Sequence, residues 1–353
     1  MPERAKITTQ VELFETKIAR RQETQNDSAK VLIITGFTYF LTPNVTQEAV
    51  MNKRLLWLMP LLLVLAVYLI PTPKKDAPDL YDGPDKRLIN KLAKFREIPT
   101  RSINASGYDW PYLVLGSGPK TILFLHGMTG GYDFWWQQMA EFSHDYRVVS
   151  VTYPPVDNLP DLGRGIITIL DKEKIDSTVV VGSSLGGYLT QYLLATYPKR
   201  VEKAVLGNTF PKNDILEEKN KSKIAVATWA PEWVVMNSLR QNLFDQVLPA
   251  SENNPLAKAQ LLENTYGRMS KAQFLARYDC VVDKFQPVDG KQTRVPLLIM
   301  ESDNDPLVSP DLRAQLKQYY STAQVHTFHH KGHFPYLNAS DEYNAALRKF
   351  LTQ

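Results

Sequence analysis

Five residues, Gly182-Ser183-Ser184-Leu185-Gly186, constrain this chain more than any other stretch. They follow a β-branched run, Thr178-Val179-Val180-Val181, and open an apolar, helix-like segment from Leu185 to Tyr197. A serine on a sharp turn between a strand and a helix presents its hydroxyl at the end of a sheet. So tight a turn admits only small residues two positions before and two positions after the serine. Gly182 and Gly186 meet that demand around Ser184. Centring the pattern on Ser183 puts Val181 and Leu185 at the flanks, and the pattern fails. Ser184 is the candidate nucleophile.

A serine hydroxyl attacks only when a base takes its proton. With the serine on such a turn, the acid and the histidine follow it along the chain. Val295-Pro296-Leu297-Leu298-Ile299-Met300 reads as a buried strand and runs into the polar turn Glu301-Ser302-Asp303-Asn304-Asp305-Pro306. Asp305 is the first-choice acid and Asp303 the second; taken alone, Asp305 also fits an Asx turn or helix cap. A further strand-like alternation, Val325 to His330, ends in Lys331-Gly332-His333-Phe334-Pro335. His333, on the loop after that strand, is the candidate base, whereas His326, His329 and His330 read as strand or strand-end residues. Upstream, the buried run Thr121 to Leu125 leads into His126-Gly127-Met128-Thr129-Gly130-Gly131. Glycine lets backbone N–H groups approach a developing negative charge. The oxyanion donors expected here are the N–H of Met128 and the N–H of Leu185. Trp135 and Trp136 read as core packing, and Tyr153-Pro154-Pro155 as a strand-ending turn.

Strands expected near Leu113, Leu123, Val149, Val180 and Val205 alternate with helices around 134–142 and 162–170. That order implies right-handed crossovers and a mostly parallel sheet. From Pro211 to about Gln286 the alternation stops and helical spacing takes over, as expected for a helical cap over approximately 211–290. These features resemble the α/β-hydrolase superfamily from Tyr112 to Leu351. Tyr146 to Pro154, Gly182 to Gly187, Gly207-Asn208-Thr209-Phe210 and Phe334-Pro335-Tyr336-Leu337 are similar to its maspardin-type branch. The resemblance implies an α/β-hydrolase fold over 99–353 with a cap insertion. Animal members of that branch are viewed as non-catalytic binding proteins because their acid and histidine positions are altered. This chain has Asp305 and His333 in place, and an esterase is the expected activity. A binding or scaffold protein, a lipase, a thioesterase and a C–C bond hydrolase are the alternatives.

No zinc-finger spacing, dinucleotide fingerprint or Walker loop stands out, so no metal and no organic cofactor is expected. The net charge of +4 in 353 residues is too dispersed to suggest nucleic acid. The single cysteine, Cys280, excludes an intrachain disulfide and reads as a small buried apolar residue. Leu55 to Ile70 carries no charge and is followed by Pro71-Thr72-Pro73-Lys74-Lys75. It is expected to be a single-pass transmembrane anchor within 51–71; a signal segment cleaved on secretion is the alternative. Residues 1–50 read as an over-extended gene start or a cytoplasmic tail, and 72–98 as a linker and short helix. The expected partners are therefore a small-molecule or lipid ester and a membrane reached through Leu55–Ile70.

Overall fold

Short runs of valine, isoleucine and leucine place the strands. Such residues pack well on a pleated surface buried on both faces. The computed structural model describes residues 53–75 and 77–353. Eight strands form one sheet: β1 (Arg101–Ala105), β2 (Tyr108–Leu115), β3 (Thr121–Leu125), β4 (Arg147–Val151), β5 (Thr178–Ser183), β6 (Val201–Gly207), β7 (Leu297–Ser302) and β8 (Gln324–Phe328). Their spatial order is β1-β2-β4-β3-β5-β6-β7-β8. The β1–β2 and β2–β4 pairs are antiparallel, and every other pair is parallel. β1 is absent from the sequence expectations. It is an exposed edge strand, and its residues, Arg-Ser-Ile-Asn-Ala, have none of the apolar pattern that marks the others.

The helices follow two kinds of path. α1 (Lys53–Leu69) comes first in the chain; the first kind flanks the sheet, with α2 (Lys86–Arg96) before it in sequence and α3 (Trp136–Phe142), α4 (Leu159–Lys172) and α5 (Leu185–Thr196) crossing between strands. The second kind lies between β6 and β7, where α6 (Ile215–Trp229), α7 (Glu232–Asn242), α8 (Pro255–Glu263) and α9 (Lys271–Val282) form a helical insert. α10 (Pro310–Tyr319) and α11 (Ser340–Leu351) complete the chain. Period-two alternation divides the core. Leu123, Val149, Val180 and Leu206 meet Leu162 and Ile166 of α4, Leu189 of α5 and Leu312 of α10 on one face. Ile122, Phe124, Val179 and Val205 meet Phe142 of α3, Leu347 of α11, and Leu92 and Phe95 of α2 on the other. The segment expected as linker and short helix thus contributes to the core through α2. Trp135 and Trp136 are core residues, as is Cys280.

The anchor expectation is not met in the described residues. Lys53–Leu69 forms a helix of 17 residues that takes in most of the uncharged run, with Pro60 inside it. Pro71 lacks an N–H and disfavours helical backbone at the residue before it, which stops the helix. Among the described residues no helix is long and apolar enough to cross a membrane. The readings made of residues 1–50 lie outside the described residues. The chain divides into two units between Leu65 and Ala66, and the sheet with helices α2 to α11 belongs to the second, Ala66–Gln353.

Candidate active site

Ser184 joins β5 to α5 with φ 56° and ψ −120°. A non-glycine residue held there costs roughly 1–3 kcal/mol and persists only when its surroundings over-determine it. They do so here. The Ser184 N–H donates to the Gly207 carbonyl at 2.9 Å, and its own carbonyl accepts from Thr209 Oγ1 at 2.7 Å and the Tyr188 N–H at 3.0 Å. The two flanking glycines answer a steric demand. A Cβ on Gly182 would lie 2.1 Å from the Gly186 oxygen, and one on Gly186 would lie 2.1 Å from the Leu125 oxygen. Ser183 ends β5 and is buried, whereas Ser184 is half-buried.

His333 lies beyond β8 and Asp305 beyond β7, both buried. The imidazole Nδ1 is 2.8 and 2.9 Å from the two carboxylate oxygens. Burial alone would raise the Asp305 carboxyl. The His333 imidazole, the Asn208 amide and the Leu307 N–H outweigh it and hold the group below the usual carboxylate range. Asp305 Oδ1 accepts from the N–H groups of Leu307 and Val308 at 2.8 and 3.1 Å, so this side chain also builds the Asx turn the sequence suggests. Asp303, two residues earlier, points elsewhere. Its carboxylate meets His329 Nδ1 at 2.8 Å and the His330 N–H at 2.9 Å on the exposed surface. The structure therefore brings Asp305, not Asp303, to His333.

Met128 follows β3, on a loop beside Ser184. A Cβ on Gly127 would come within 3.0 Å of Ser184 Cβ. The Gly127 carbonyl accepts from the Gly130 N–H at 3.1 Å and from His126 Nδ1 at 2.6 Å. His126 Nε2 lies 3.3 Å from the Tyr153 N–H, which can only donate, so the imidazole proton is assigned to Nδ1. Burial first, and the nearby Arg277 guanidinium second, keep that imidazole neutral by lowering its pKa far below the ordinary range. With the Gly127 carbonyl held twice, the trans peptide it shares with Met128 has its N–H direction fixed. Leu185 opens α5, and the first N–H groups of a helix have no intrahelical acceptor.

Four strand ends thus converge: β3 brings Met128, β5 brings Ser184 and Leu185, β7 brings Asp305 and β8 brings His333. Open α/β sheets bind ligands in the crevice beyond the carboxyl ends of their strands. No hydrogen bond joins Ser184 Oγ to His333 in this structure. Such bonds are often long without substrate and tighten in the complex.

The profile of the alpha/beta hydrolase family matches residues 122–346, well over half of the chain. The chain belongs to that family. Maspardin from Danio rerio is 24% identical over 248 residues, covering 67% of this chain and 77% of maspardin. The 2-hydroxy-6-oxononadienedioate/2-hydroxy-6-oxononatrienedioate hydrolase from Paraburkholderia phymatum is 24% identical over 258 residues, covering 67% of this chain and 89% of that protein. Among solved structures, the enol-lactonase from Burkholderia xenovorans LB400 superposes with a TM-score of 0.62 at 17% identity, over 72% of this chain and all of that one. That likeness is one of fold.

Three residues of this alpha/beta hydrolase site carried no role in the sequence reading. Asn208, beyond β6, donates to Asp305 Oδ2 at 2.8 Å and to the Gly332 carbonyl at 3.2 Å. Its place at the end of a parallel strand is the signal that could have found it. His126 lies in the glycine-rich run already singled out. Arg277, in the insert, has no local signal.

Proposed function

We propose that this chain is a serine hydrolase that cleaves small or medium carboxylic esters through an acyl-enzyme. Ser184 Oγ attacks the carbonyl carbon while His333 Nε2 takes the hydroxyl proton. Asp305 keeps the other ring proton on Nδ1 and stabilises the imidazolium that forms. The N–H groups of Met128 and Leu185 receive the negative charge of the tetrahedral intermediate. His333 then gives its proton to the leaving alcohol, and the ester bond breaks. Water, deprotonated by the same imidazole, releases the acid and restores Ser184. The observation that carries this reading is the strained Ser184 backbone at the same end of the sheet as a buried His333–Asp305 pair. Ser184 takes its positive φ where a strand passes straight into a helix, and a buried imidazole–carboxylate pair is costly unless used or well compensated.

The similarity to maspardin makes a binding or scaffold role the rival from another class. The intact Asp305–His333 pair favours the enzyme. A fluorophosphonate probe separates them, since it labels only an activated serine. Labelling of the wild-type chain and its loss in Ser184→Ala are expected; an unlabelled, folded wild-type chain would overturn the proposal. A panel of p-nitrophenyl esters of rising acyl length, with a thioester, a triglyceride and a vinylogous diketone alongside, separates the esterase from thioesterase, lipase and C–C hydrolase readings.

A further inference from the structure

The oxyanion loop is held from outside the sheet. Residues 127–130 expose three successive carbonyls, at Met128, Thr129 and Gly130, and all three are taken by side chains of the helical insert. Arg277 of α9 donates through Nη1 to Met128 at 2.6 Å and to Gly130 at 3.1 Å. Asn264, at the end of α8, donates through Nδ2 to Thr129. Arg277 also donates through Nη2 to the Tyr153 carbonyl at 2.9 Å, and Gln273, one turn earlier on α9, reaches the same carbonyl at 3.2 Å. Tyr153 in turn stacks on His126, with ring centroids 3.9 Å apart, and His126 holds the Gly127 carbonyl. Both ends of the loop are therefore clamped through one guanidinium.

That guanidinium is only 1% exposed and makes no ion pair with a carboxylate among the described residues. Burying a cation among carbonyl groups alone is costly. Burial pushes its pKa down to about 10, so it remains a cation at neutral pH. Arg96 and Arg268, which keep more contact with water, each pair with Asp133, whereas Arg277 has only carbonyl oxygens and the Met269 sulfur as acceptors. The fork geometry, with several donors fixed in one plane, suits the task of holding separate carbonyls at set positions.

We infer that Arg277, with Asn264, is a positioning residue that sets the Met128 N–H for the oxyanion, so that the oxyanion hole is formed only while the insert is docked on the sheet. The inference rests on the proposed serine mechanism for its kinetic consequences, but its structural half stands apart from it. A shift of α9 withdraws the donor of the Met128 and Gly130 carbonyls together with the field of the buried cation, and a shift of the whole insert withdraws Asn264 from Thr129 as well. The Gly127–Met128 peptide then keeps only its local bonds to Gly130 and His126.

The experiment uses the full chain with Arg277→Lys, Arg277→Met and Asn264→Ala, each normalised by active-site titration with the fluorophosphonate. Arg277→Met is expected to lower kcat on a p-nitrophenyl ester by about 10²-fold, the scale for one lost oxyanion donor, with KM little changed. Affinity for a trifluoromethyl ketone, which forms the tetrahedral oxyanion, should fall by a similar factor. Arg277→Lys keeps the charge but loses the fork, and should recover part of both losses. A merely structural role would lower Tm while leaving kcat per titrated site and ketone affinity alone, and that result overturns the inference. Hydrogen exchange of amides 127–130 reads the coupling without any turnover. Faster exchange there in Arg277→Met and in Asn264→Ala supports it even if the wild-type chain proves inactive, which would sink only the proposed function. Unchanged exchange in both variants refutes it.

Discussion

Asp305→Asn is the substitution whose outcome can be worked most fully from the geometry. Oδ1 already accepts from Leu307 and Val308. A carboxamide must keep its oxygen there, so its NH2 falls at the Oδ2 position. That position faces the Asn208 Nδ2 donor at 2.8 Å and His333 Nδ1 at 2.8 Å. Three donors would then meet in a buried space. Oδ1, also 2.9 Å from Nδ1, already carries two backbone donors, so His333 relieves the conflict by giving up its Nδ1 proton and accepting there. Its remaining proton then sits on Nε2, the atom that must accept from Ser184. The wrong tautomer predicts a fall in kcat of about 10⁴, which is roughly 5.4 kcal/mol of transition-state stabilisation. The unrelieved contact with Asn208 predicts a stability loss of about 1–3 kcal/mol, a few degrees in Tm. The assay is p-nitrophenyl ester turnover with calorimetry on the same preparations. Asp303→Asn is the control and should stay near wild type, because its partners are the exposed His329 and His330. An Asp305→Asn protein within tenfold of wild type, or an equal loss at Asp303, would refute the reasoning.

Other consequences are equally direct. Ser184→Gly should be inactive yet about 1 kcal/mol more stable than Ser184→Ala in urea unfolding, since only glycine sits at φ 56° without strain and its greater chain entropy offsets part of the gain. Asp133 is buried between Arg96 and Arg268, at 2.7 and 2.6 Å. Because both arginines keep some contact with water, Asp133→Asn should cost about 2–3 kcal/mol, somewhat below the figure for a fully buried pair, and an unchanged urea midpoint would contradict this. Burial would raise the carboxyls of Asp133 and Asp305, but their cationic and hydrogen-bonding neighbours bring both below the usual range. Their contribution to stability should be full above the unfolded value near about 3.9 and lost as pH falls through the lower folded values. The gap in stability between wild type and Asp133→Asn should therefore be constant from about pH 5 to 7 and narrow below about pH 4.

How much of the fold can be read from the residues depends on which faces are buried. β3, β5 and β6 are covered on both sides, so their valines and leucines run together and announce themselves. β1 pairs with β2 alone and gives the core only Ala105 and part of Ile103, so most of its residues are free of the apolar pattern. α2 has only Leu92 and Phe95 buried in a helix otherwise rich in lysine and arginine, so the sequence shows a short helix but not that it joins the core. α6 has no buried residue at all, and its boundaries could not be drawn from periodicity. α1 reads as a membrane segment because it is uncharged from Leu55 onward, yet its length depends on where Pro71 stops it.

The candidate site divides along the same line, between what is local and what is not. Ser184, with its two glycines, is legible because the turn must solve its steric problem within five residues. Asp305 and His333 are legible because each follows a strand at the sheet end where Ser184 sits. The turn makes Asp305 the first choice and Asp303 the second, and the approach of β8 then gives each its histidine. Arg277 and Asn264 are further removed still. Arg277 is 149 residues from the Met128 carbonyl it holds, and Asn264 is 135 from Thr129. A side chain bonded to a backbone carbonyl imposes nothing on the identity of the residue that owns that carbonyl. No pattern in the chain can record such a contact, and only the packed insert reveals it. The residues that perform the chemistry are therefore written into local turns, while those that hold the oxyanion loop in place emerge from how distant segments meet.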